Sequence, residues 1–283
     1  GQAWRRGWIV LGGIPARLLQ ACAVTGTTRP ASARRRSTVW AAWVLLVASA
    51  AWHATTAATW PTFGLDAEVY RDGGAALLGG RDVYAAALGR ESLPFTYPPF
   101  ALVLFAPLAL LPANAAVALL FCLSCVALVV VVRWCQTYAL GEPPDTWWSG
   151  VALASAAALA LEPVRGSLGL GQVNLILLAA VVGLDARGTR VAGVGAGIAA
   201  AVKVTPLLLL VAQLVRGDRA AAAKGVAVCA GLTVAGVWAA PREAWVYAAR
   251  VLWDSSRPGD PAYVSNQSLR GVLARHAGDA RMW

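Results

Sequence analysis

Long apolar stretches alternate with short polar ones along the chain, and one polar interruption is far larger than the others. Residues 39–59 form an apolar run of membrane length, since a spanning helix needs about 20 residues. Residues 60–97 break that pattern with Asp66, Glu68, Arg71, Asp72, Arg81, Asp82, Arg90 and Glu91. Inside the interruption, 68–78 reads as a short surface helix stopped by Gly79-Gly80, with a second short segment at 81–84. Pro98-Pro99 suits the first turn of a helix, where φ is already set and no N–H is required. The next apolar run, 100–132, is interrupted at Pro107 and Pro112, which predicts one crossing over 113–132. Residues 100–111 are then expected at the outer interface or as a re-entrant piece.

Two further crossings are expected over 147–161 and 175–184, flanking a polar turn at 162–174. Residues 191–202 and 207–215 read as a hairpin of short helices broken at Pro206, with Lys203 at its tip. A last crossing over 226–239 leaves 241–283 external. Arg34, Arg35 and Arg36 precede the first run and mark its near end as cytoplasmic. Arg133, Arg187, Arg190, Arg216, Arg219 and Lys224 then fall on the same side. Trp40 and Trp43 at one end of the first run, and Trp52 and Trp60 at the other, fit interfacial belts. Asp66, Glu68, Tyr97, Glu162, Arg165, Gln172, Asn174, Lys203, Asn266 and Gln267 all fall on the opposite, extracytoplasmic side.

Composition sharpens the class. Of 283 residues, 58% are hydrophobic and 13% charged, with a mean hydropathy of +0.60, whereas soluble domains carry about 25% charged residues. The chain reads as all-α: a polytopic transmembrane helix bundle with short interfacial helices in its first external loop. The net charge of +10 follows from topology, so nucleic acid is not expected as a partner. The five cysteines show no disulfide framework, and the small residues of the helices favour close helix contact. Residues 1–38 read as a basic cytoplasmic extension, without the form of a clean signal peptide. Residues 39–283 read as the transmembrane catalytic domain.

Polar groups gathered at one membrane edge are candidates for function. Asp66 is placed to act as a general base toward a hydroxyl; partial desolvation would raise its pKa and neighbouring cations would lower it. Lys203, Arg165 and Arg270 could hold an anionic lipid head group such as a phosphodiester, the arginines by their fork and the lysine as a point charge. Glu68, Tyr97, Gln172, Asn174, Asn266 and Gln267 suit sugar or acceptor binding. The plainer alternatives are a solvated acid, a snorkelling lysine and ordinary capping amides. His53 and His276 have no partner at metal spacing and read as structural. No acidic cluster marks a metal site, and a divalent metal remains open as a cofactor.

Five segments occur in order: Phe63-Gly-Leu-Asp-Ala-Glu-Val-Tyr70, Phe95-Thr-Tyr-Pro-Pro-Phe100, Gly171-Gln-Val-Asn-Leu175, Lys203-Val-Thr-Pro206 and Asn266-Gln-Ser-Leu-Arg270. Together they resemble the family-87 glycosyltransferases of the GT-C superfamily, the polyprenyl-phosphate-mannose-dependent mannosyltransferases of actinobacteria. The resemblance spans roughly residues 39 to 271. It implies an integral-membrane hexosyltransferase with its active site on the extracytoplasmic face of the cell membrane. The implied donor is a polyprenyl-phosphate sugar, the acceptor a glycolipid or glycan, the transfer inverting and Asp66 the base. Members usually continue through several more membrane helices, so a chain ending at Trp283 is expected to be truncated. The alternative is a transporter whose discontinuous helix lies at 203–206; the edge placement of the charges and the lack of an internal repeat favour the enzyme.

Overall fold

The computed structural model describes residues 31–140, 147–185, 190–254, 257, 262–264, 266 and 268–277. The basic residues before Ala31, Arg187 and Gln267 lie outside the described residues. From Val39 onward the described residues group as one compact unit. It is helical throughout, and its only bridge among the described residues pairs Leu88 with Leu93. The expectation of an all-α membrane bundle is met.

Helix α1, Ala31–Ala57, carries the first apolar run. It buries Ala42, Leu46 and His53 and exposes Trp40, Val44, Val47 and Trp52, as a helix with a lipid-facing side does. A short turn region leads to α2, Leu65–Leu78, which begins three residues earlier than its apolar pattern indicates and so includes both Asp66 and Glu68 in its first turn. Carboxylates there complement the positive end of the helix dipole. One face of α2 buries Ala67, Val69, Tyr70 and Ala76. Gly80, at φ 66°, stops the helix in the left-handed region. The short segment at 81–84 is not helical, and the chain turns at 83–85.

Helix α3, Pro99–Phe105, has proline in its first turn and continues as a 3₁₀ turn over Ala106–Leu110. Helix α4, Ala113–Leu140, is the longest apolar element. Helix α5, Trp147–Ala158, bends by 78° into α6, Glu162–Leu170, where the sequence pattern indicated only a polar turn. Then come α7, Asn174–Asp185, α8, Val194–Val202, and α9, Leu207–Val215. Helix α10, Arg219–Ala239, begins seven residues before the predicted crossing, because Asp218 caps it by accepting from the Ala221 N–H at 3.1 Å. Helix α11, Pro241–Ala249, a 3₁₀ turn at Val251–Trp253 and α12, Leu269–Ala277, complete the described chain.

Three described helices are long and apolar enough to cross a membrane, over Arg36–Ala57, Ala113–Ala139 and Arg219–Ala239, or four if the bent α5–α6 pair is one span. Helix α7 is shorter than a full crossing, so the expected crossing at 175–184 is a shorter piece packed against α4, while α8 and α9 are the two short helices expected on either side of Lys203. Helix α8 packs on α7 and α10 through small residues. A Cβ at Gly197 would stand 2.4 Å from the Gly225 carbonyl oxygen, so only glycine lets α8 and α10 approach so closely. The main core joins α2, α3, α4, α7 and α8 through Tyr70, Phe95, Leu102, Leu120, Leu177 and Val202. It forms the floor under the site.

Candidate active site

The first turn of α2 is held against the end of α6. The Gly64 N–H donates to the Gly169 carbonyl at 2.7 Å. Helix α6 ends in the left-handed residue Gly171, at φ 71°. The Gln172 N–H returns to the Ser167 carbonyl at 2.8 Å, and a Cβ at Gly171 would lie 2.8 Å from that of Ala67. This turn explains the Gly171-Gln-Val-Asn spacing. Val173 goes into the core, while the amides of Gln172 and Asn174 bond each other and reach toward α2 and Lys203.

Gln172 Nε2 donates to Asp66 Oδ2 at 2.6 Å. Asn174 Nδ2 donates to Gln172 Oε1 at 2.6 Å, and Lys203 Nζ donates to Asn174 Oδ1 at 3.0 Å. Lys203 sits where α8 stops, with extended backbone at φ −142° and ψ 131°, before Pro206 starts the next helix. The broken helix therefore delivers Lys203, Val204 and Thr205 to one wall. Below them Lys203 Nζ lies 5.6 Å from the centre of the Tyr97 ring, a cation–π approach. The Tyr97 and Tyr70 hydroxyls are 2.7 Å apart.

Asp66, Tyr70, Tyr97, Gln172 and Lys203 line a cavity of about 510 Å³ whose walls also include Tyr247, Asp254 and Arg257. Burial raises the Asp66 carboxyl above its ordinary value, opposed by the Gln172 hydrogen bond and the Lys203 charge. Burial likewise lowers Lys203, opposed by Asp66. Tyr97 is pushed up to about 12, mainly by burial. The result is a half-buried carboxylate with one oxygen held, beside two cations in a concave site.

The structure thus brings together Asp66, Tyr97, Gln172, Asn174 and Lys203 from four separate parts of the sequence. It does not bring the other described candidates there. Glu68 pairs with Arg90, whose guanidinium also donates to the Pro61 and Phe63 carbonyls. Arg165 stacks over Trp60 at 5.6 Å. Asn266 Oδ1 accepts from the Ser268 N–H at 3.2 Å just before α12. Arg270 lies in that helix and, like Glu162, is not among the cavity's lining residues. Among the described residues no group of three or more His, Cys, Asp or Glu could hold a metal ion.

Tyr70 and Arg257 are among the cavity residues that sequence reasoning missed. Tyr70 carried a signal, since it is four residues after Asp66 on one helix and shares its face. Arg257 carried none; it is one basic residue in an aperiodic tail. Its Nη2 donates to the Tyr84 and Phe95 carbonyls at 2.7 and 3.2 Å, which fixes it at the cavity rim, while its Nε is buried without a hydrogen bond.

An all-α membrane bundle with a polar cavity built from a first-loop carboxylate and a broken-helix lysine defines the class. The chain belongs to glycosyltransferase family 87, whose profile matches residues 95–283. It is 34% identical over 237 residues to the polyprenol-phosphate-mannose-dependent alpha-(1-2)-phosphatidylinositol mannoside mannosyltransferase of Mycolicibacterium smegmatis, covering 75% of this chain and 52% of that protein. It is 31% identical over 239 residues to the protein of that name from Mycobacterium tuberculosis, covering 76% and 56%. A pentamannoside mannosyltransferase of Mycobacterium tuberculosis, also polyprenol-phosphate-mannose-dependent by name, is 34% identical over 197 residues, covering 69% and 46%. The chain thus spans about half the length of these relatives. No solved structure gives a significant match. The family assignment favours the transferase over the transporter.

Proposed function

We propose that this chain carries the base and donor-phosphate site of a mannosyltransferase. The enzyme moves mannose from a polyprenyl-phosphate donor to a glycolipid acceptor, on the model of the phosphatidylinositol mannosides in its relatives' names. The observation that carries the reading is Asp66. It is half-buried, its Oδ2 accepts from Gln172, and it shares one cavity with Lys203 and Arg257.

The chemistry is a single displacement with inversion. An acceptor hydroxyl approaches Asp66 Oδ1 and attacks the anomeric carbon of the donor sugar. Its proton passes to Asp66 as the new C–O bond forms. The bond from the anomeric carbon to the phosphate oxygen breaks, and the electron pair leaves on the phosphate. Lys203 and Arg257 face that growing negative charge, where cations stabilise the transition state more than the ground state. Arg257 takes the role that Arg165 and Arg270 have in the sequence reading. The positive-inside pattern of the sequence supports an extracytoplasmic side for this cavity.

The test is Asp66→Asn in the full-length protein, assayed in membranes with a polyprenyl-phosphate-mannose donor. Asparagine keeps size and hydrogen bonding but accepts no proton. Transfer should fall by about 10²–10⁴-fold while donor binding persists. Near-parental turnover would move the base elsewhere, and Asp254, the other carboxylate lining the cavity, would be examined next.

A further inference from the structure

Four side chains from three regions of the chain form one unbroken hydrogen-bonded line: Lys203 to Asn174 to Gln172 to Asp66. A carboxamide has a donating end and an accepting end; an ammonium only donates, and an ionised carboxylate only accepts. With those two ions at its ends, the line closes in a single sense. Reversing the amides would set N–H against N–H at Lys203 and oxygen against oxygen at Asp66. The second Asn174 N–H points toward Ser167 Oγ at 3.5 Å, in agreement with that sense.

We propose that Gln172 and Asn174 are positioning residues that couple the charge on Lys203 to Asp66, so that an ammonium at one end keeps an amide N–H donating to the carboxylate at the other. The proposal rests on Asp66 being the base. The Gln172 N–H occupies Oδ2 and leaves Oδ1 for the acceptor hydroxyl. Lys203 uses one N–H on Asn174 and has two others for a phosphate, so donor binding does not break the line. A bound phosphate instead holds the ammonium charged against the burial that favours its neutral form. Donor occupancy therefore primes the base across about three hydrogen bonds.

The other groups near Asp66 do not replace this coupling. Tyr70 on α2 is raised well above its ordinary value by burial, and Tyr97, before α3, is pushed up to about 12. Both stay neutral where the base works. Arg257 and Asp254 line the same cavity from beyond α11.

Asn174→Asp replaces the donating Nδ2 with an oxygen. Gln172 then faces a carboxylate on each side and can donate fully to one only. Losing that N–H removes a contact that holds Asp66 down, so Asp66 must be deprotonated at higher pH. The measurement is the pH profile of mannosyl transfer at saturating polyprenyl-phosphate mannose, using the full-length protein in membranes. The acid limb should move up by about one pH unit, and Gln172→Leu should move it the same way with donor KM little changed. If Asn174→Asp fails to accumulate, Asn174→Ser, which removes the amide without adding charge, reads the same limb. A uniform loss of rate with an unmoved limb would overturn the coupling and leave a merely structural role. Asp66→Asn separates the two failures: an active Asp66→Asn enzyme refutes the base itself, whereas an inactive one with an unmoved Asn174→Asp limb refutes only the coupling.

Discussion

Asp66 and Glu68 stand two residues apart in the first turn of one helix, yet they belong to two different sites. Asp66 faces a cavity of about 510 Å³ with a neutral amide on one oxygen and a lysine further along the line. Glu68 faces a second cavity, of about 930 Å³, between the ends of α1 and α4. There it is tied to Arg90, and Arg90 is itself tied to the loop carbonyls of Pro61 and Phe63. One acid is held in place without being neutralised. The other is neutralised and pins a loop. Being an acid in the first external loop does not make a base; what the acid's partners leave available does.

The largest expected effect tests that contrast directly. Asp66→Asn should lose about 10²–10⁴-fold in transfer. In the parent, transfer should fall with acid at a pH above the usual carboxylate value of about 3.9, because burial raises Asp66 and the base works only when deprotonated. As pH drops through that raised value the rate drops with it, and Asp66→Asn should erase the limb. A parental limb at or below the ordinary value would count against Asp66 being the titrating group.

Next come the cations. A hydrogen bond to a charged group contributes about 1.5–3 kcal/mol, so Lys203→Met should weaken donor binding by about 10–100-fold. Arg257→Met should act in the same direction, and Arg165→Met, which removes the stack on Trp60, should leave donor affinity close to parental. Equal donor binding by the parent and the Lys203 variant would retire the phosphate role.

Gly171→Ala tests the turn that serves Asp66's side alone. A left-handed residue with a Cβ costs about 1–2 kcal/mol, and here the Cβ would also press on Ala67. The variant should unfold at lower temperature or denaturant than the parent, with Gln172 displaced and turnover reduced. Smallest of all is Glu68→Gln. Its pair with Arg90 is partly exposed, and such pairs contribute about 0–1 kcal/mol. Turnover should stay within about threefold of the parent; a loss matching that of Asp66→Asn would erase the distinction between the two acids.

Much of this was legible in the sequence because membranes impose strict rules on a chain. The apolar runs had to be helices, since backbone groups in lipid must be satisfied within the segment. Prolines at 98, 99 and 206 and glycines at 79 and 80 placed element ends correctly. Asp66, Gln172, Asn174 and Lys203 stood out as polar groups at the ends of apolar runs. Tertiary structure decided the rest. Helix α6 was hidden because Glu162, Arg165 and two glycines give a polar, broken pattern in sequence that only packing against α2 and α7 turns into a helix. Glu68 and Arg165 carry the same residue-type signals as Asp66 and Lys203, and only the partners across space, Arg90 and Trp60, assign them elsewhere. Arg257 lies 54 residues from Lys203 and 191 from Asp66, and no periodicity links them. Hydropathy and backbone rules act locally along the chain, whereas the matching of a carboxylate to an amide, and of that amide to a lysine, exists only once the helices have packed.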